Sequence, residues 1–139
     1  MFSGTPTQPT EPTAQGNPTP VSKDPQPKSK REPVGRLANE LIQLSGQVAQ
    51  LMLQAHLIHF NYESGNFFGV HKFTKGQYEK HQEQLDRVGE LVRSLDFMMP
   101  MCAKGLLGSF KKFDHIDSYV GGSMLYIYLG QLEAFGMNA

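Results

Sequence analysis

Tryptophan is absent from the 139 residues, and cysteine occurs once, at Cys102. A lone cysteine excludes an intrachain disulfide and fits a reducing compartment. No uninterrupted apolar run reaches the ~18 residues that a membrane-crossing helix requires. The opening residues run through Ser, Thr and Pro rather than through an apolar leader. An excess of either charge is lacking too: 13 basic residues balance 13 acidic ones. A dedicated nucleic-acid binder normally shows a clear basic surplus. These absences point to a soluble, cytoplasmic protein with no membrane partner.

Proline is nearly missing after Pro33. Eight of the nine prolines fall in the first 33 residues, among Thr, Ser and Gln, and only Pro100 lies beyond. Such a stretch buries too little apolar surface to offset its conformational entropy. Residues 1–33 therefore read as a disordered Pro/Thr-rich tail, and 34–139 as one helical domain. Lys28, Lys30 and Arg31 form a basic cluster in that tail, diluted by Glu11, Asp24 and Glu32.

From Val34 onward the pattern is helical. Leu37, Leu41, Leu44, Val48, Leu51, Ala55 and Ile58 recur at alternating steps of four and three, one apolar stripe on a helix ending near Phe60. Pro33 stands where a first-turn proline is tolerated. Residues 61–66 are a turn signal. A second helix is expected over 67–97, with Thr74, Tyr78, His81, Leu85, Val88, Val92 and Leu95 in the same spacing. A short turn between long helices makes them antiparallel neighbours, and Pro100 blocks continuation. A short helix over 101–112 and a last one capped by Ser123 and stopped near Gly136 complete the expectation. These pieces do not close a four-helix bundle, so either other copies supply the cover or the chain is a fragment.

Four side chains carry potential chemistry. Asp86 and Glu90, four residues apart, share a helix face. His59 ends the first helix and His71 opens the second, so the hairpin can turn both imidazoles toward one point. Two imidazoles and two carboxylates make a mixed nitrogen and oxygen set suited to Fe(II), Mn(II) or Zn(II). One chain cannot assemble it, because His71 and Asp86 are separated by ~22 Å of helix. A two-fold related copy with its second helix antiparallel can. Taken singly, these residues mean less: an isolated helix-end histidine usually bonds turn backbone, and an i, i+4 acidic pair is usually a solvated face. His56, His81 and His115 match no ligand pattern and read as surface or interface residues. Met98, Met99 and Met101 read as loop packing, and Cys102 as a small buried residue.

The run Ile58-His59-Phe60-Asn61, then Asn66-Phe67-Phe68, then His71, then Asp86-x-x-x-Glu90, resembles the Dps family, the DNA-protection-during-starvation mini-ferritins. The resemblance covers roughly residues 35–97 well and 98–135 loosely. It implies an all-α, ferritin-like bundle with the fourth helix missing, and a homo-oligomer: a two-fold dimer at least, a dodecameric shell if it closes. It implies an iron-oxidising, iron-sequestering activity that limits oxidative damage. Fe(II) would be bound between subunits by His59, His71, Asp86 and Glu90 and oxidised by peroxide or oxygen. The chain lacks the Glu-x-x-His motif of di-iron sites inside one bundle, in keeping with the between-subunit arrangement. Two departures bear on the site. Lys75 stands where relatives often carry an acid. Phe60 replaces the family's Trp, whose electron-donating role would pass to Tyr62 or Tyr78. In some relatives a basic tail binds DNA through phosphates, which Lys28, Lys30 and Arg31 would do here. The other reading is a truncated relative that keeps the hairpin as a dimerisation or interaction module without turnover.

Overall fold

The computed structural model describes residues 28–138 and Gly4. Of the tail expected over residues 1–33, residues 1–27 apart from Gly4 lie outside the described residues, and 28–33 belong to the first helix. Four helices follow one another: α1 (Lys28–Asn61), α2 (Phe67–Ser94), α3 (Ala103–Gly108) and α4 (Gly121–Asn138). The architecture is all-α, with two long helices, a short one and a last helix of moderate length, as the spacing predicts. None of the helices among the described residues is long and apolar enough to cross a membrane.

α1 begins at Lys28 rather than at Val34, so Pro33 lies in its second turn, not its first. Its missing N–H leaves one carbonyl of the preceding turn without a helical donor. The buried side of α1 is Ala38, Ile42, Val48, Leu51, Ala55 and Ile58. Leu37, counted in the predicted stripe, is half exposed instead. The hairpin turn closes when the Tyr62 hydroxyl donates to the carbonyl of Gly65 at 2.8 Å. Asn66 takes a left-handed conformation (φ 56°) and hands the chain into α2. Asparagine visits that region more readily than most residues.

The core has two lobes along the hairpin. Near the turn, Leu51, Ala55, Ile58, Tyr62 and Val70 pack with Met124 and Tyr128 of α4. At the far end, Ala38, Ile42, Val92 and Phe97 form the second lobe. Fully burying each large aliphatic side chain stabilises the fold by roughly 1.5–3 kcal/mol. α2 stops at Ser94, three residues before the predicted end. Asp96, at φ 66°, reverses the chain, and Phe97 folds back into the second lobe.

α3 spans less than the predicted 101–112 and docks between the lobes. Its landing point is Gly46, where an added Cβ would meet the Leu106 carbonyl oxygen at 2.7 Å. Ser109 donates to the Ile42 carbonyl at 3.0 Å. Gln50 donates to the carbonyls of Leu107 at 2.6 Å and Phe110 at 3.0 Å. Cys102 is exposed rather than buried; its Sγ accepts from the Gly105 N–H at 3.3 Å. α4 starts at Gly121, so Ser123 lies inside the helix and does not cap it. A Cβ at Gly121 would meet the Tyr62 ring at 2.8 Å, which keeps this end of α4 tight against the hairpin turn.

Candidate metal-binding site

The antiparallel hairpin brings His59, near the end of α1, beside His71, in the first turns of α2. Their rings stack with centroids 3.6 Å apart and planes 23° from parallel. His59 Nδ1–H donates to the backbone carbonyl of His71 at 2.9 Å. His71 Nδ1–H donates to the carbonyl of His59 at 3.3 Å. A carbonyl only accepts, so both rings are fixed as the tautomer with hydrogen on Nδ1 and a lone pair on Nε2. Neither Nε2 has a hydrogen-bond partner among the described residues. Thr74, buried beneath them, places its hydroxyl 3.4 Å from His59 Nδ1 and donates to the Val70 carbonyl at 2.8 Å. Backbone bonds to the far nitrogen of a metal-binding imidazole orient the ring and raise its basicity.

The pair lies in a longer array of rings. Phe67 stacks on His71 with centroids 5.3 Å apart. Tyr78 meets His59 edge-on at 5.4 Å. His56 is sandwiched between Tyr78 at 4.1 Å and Phe60 at 4.5 Å, and stands 6.2 Å from His59. Phe60 and Phe68 are largely exposed, at 67 % and 84 %.

Asp86 and Glu90 are exposed on α2, and neither has a hydrogen bond or ion pair among the described residues. They lie four and five turns along α2 from His71 and do not meet the imidazoles within one chain. Among the described residues no three His, Cys, Asp or Glu side chains converge as one ion would require.

The ferritin-like domain family matches residues 37–116, more than half of the chain. The chain belongs to the ferritin-like domain family. No curated protein matches it. The matched stretch of this ferritin-like chain takes in most of α1, all of α2 and α3, and all four predicted ligands.

Other predicted residues fall as follows. Lys75 pairs with Glu79 at 3.9 Å on the exposed side of α2. Lys28, Lys30 and Arg31 open α1, and their side chains lie outside the described residues. Two histidines were underrated by spacing alone. His56 belongs to the imidazole cluster, and its signal was its position three residues before His59, on nearly the same face. His81 is buried, not at the surface. Its Nδ1–H donates to Gln84 Oε1 at 2.8 Å and its Nε2 accepts from the Tyr128 hydroxyl at 3.3 Å. Burial lowers the pKa of His81, and Lys80 lowers it further against the opposing Gln84 bond. Burial likewise raises that of Tyr128. This pair links α2 to α4 and is structural.

Proposed function

We propose that the chain is a Dps-like Fe(II)-oxidising protein whose site lies between two-fold related copies. His59 and His71 of one chain face Asp86 and Glu90 of the partner subunit. The observation that carries this reading is the reciprocal clamp on the two imidazoles. Each ring is held by backbone at Nδ1 and keeps an unpartnered Nε2 for a metal.

Fe(II) is the substrate. The protein binds and orients it with neutral imidazoles and carboxylates, and the iron supplies the electron chemistry toward peroxide or oxygen. Exposed Asp86 and Glu90 suit a role at an interface: no partner within the chain competes for them. The Lys75–Glu79 pair supports the same reading, because it offsets the cation one turn from His71. Sequestration of the ferric product and a cytoplasmic location follow as parts of the proposal.

Complementation tests it. His59→Gln and Asp86→Asn chains should each lose rapid Fe(II) oxidation while keeping their helix content. Re-associated from a 1:1 mixture, they should recover about a quarter of wild-type activity, because half the dimers are mixed and each regains one of two sites. No recovery from the mixture would reject the between-subunit site.

A further inference from the structure

His56 is a third imidazole beside the site, and nothing in the four-ligand reading uses it. A metal ion lies close to the plane of an imidazole that binds it, about 2.0–2.1 Å from the nitrogen. The ring centroids of His59 and His71 are 3.6 Å apart and the planes only 23° from parallel, so the two rings lie face to face rather than edge to edge around a common point. The stacked pair in this orientation cannot share one ion. Each ring instead leaves one unpartnered nitrogen of its own.

His56 and His59 stand in the opposite relationship. Their planes cross at 62°, with centroids 6.2 Å apart. Two imidazoles on one ion place their ring centres roughly 5.2–6.4 Å apart, from two legs of nitrogen–metal bond plus ring radius, a range whose upper end takes in this pair. The residues are three apart on α1, so their side chains are neighbours on one face. Phe60 and Tyr78 grip both faces of the His56 ring and leave its edge, with both nitrogens, free of hydrogen bonds among the described residues. No bond has to break for a nitrogen to turn to an ion.

We propose that His56 and His59 together bind one divalent transition-metal ion, while His71 serves a second ion alongside. This rests on the reading of His59 and His71 as metal ligands.

The test is anaerobic titration of the full chain with cobalt(II) chloride, followed by calorimetry and the visible absorption of bound Co(II). Wild type should bind two ions per subunit. His56→Phe keeps a ring between Phe60 and Tyr78 but removes the nitrogens; His56→Gln provides a second variant without the ring. Both should lose one ion, or bind it at least about tenfold more weakly, with the other ion unchanged. Wild-type stoichiometry and affinity in both variants, or one ion per subunit in wild type, would overturn the role of His56. If His59→Gln still loses binding while the His56 variants do not, the two-histidine site stands without it. If wild type binds no Co(II), both readings fall.

Discussion

His59 and His71 each point Nδ1 at the other's backbone carbonyl, at 2.9 and 3.3 Å. The exchange fixes both tautomers before any metal arrives. Long-range proton–nitrogen NMR of the apoprotein should therefore show both rings protonated at Nδ1. Adding Zn(II) should shift the Nε2 resonances and spare Nδ1. The opposite tautomer on either ring would remove the basis of the donor assignment.

Charge at position 75 should tune the site. Lys75 is more than half exposed and already paired with Glu79, so its effect is screened. Lys75→Glu places an acid one turn from His71. Anaerobic Co(II) affinity should rise several-fold, the order expected of roughly 1 kcal/mol between exposed charges. An unchanged or weaker affinity would show that residue 75 does not face the ions.

Gly46 should resist replacement although it sits inside a helix. Gly→Ala usually stabilises a helix interior by up to ~1 kcal/mol. Here the new Cβ would strike the Leu106 carbonyl, and overpacking costs about 1–3 kcal/mol. Gly46→Ala should thus lower the thermal midpoint by several degrees in a melting curve, against the propensity expectation. A raised midpoint would mean that α3 yields freely.

His81 should make stability pH-dependent in one direction. Its folded pKa is lowered, chiefly by desolvation, so the unfolded chain binds the proton more readily. The contribution of His81 is complete above the unfolded value of about 6.5 and is lost as pH falls from there through the folded pKa. Denaturant midpoints should fall from pH 7 to pH 5. His81→Gln should flatten that slope. An equal slope in the variant would place the titration elsewhere.

The helices and the pairing of His59 with His71 were legible because both depend on short-range periodicity. The step of four and three fixed α1 and α2, and the short turn fixed their antiparallel pairing, so His59 and His71 had to meet. What escaped depended on approach between distant segments. Gly46 and Gly121 look like ordinary helix breakers in sequence, yet both mark places where another element must come close. Gly121 opens α4 two residues before the cap that Ser123 suggested. His81 sits in the predicted apolar stripe, but its burial became evident only once Tyr128 arrived from α4. His56 carried a local signal in its spacing to His59, but its stacking on Tyr78 across the hairpin was not legible.

The clamps on the two imidazoles are main-chain atoms, so no side-chain replacement elsewhere deletes them. What they depend on is the number of residues between the two helices. Lengthening or shortening the 61–66 turn by a single residue would rotate one imidazole about 100° around its helix relative to the other and separate the pair. Loop length, more than the chemistry of the surrounding surface, is therefore the quantity that selection would have to guard.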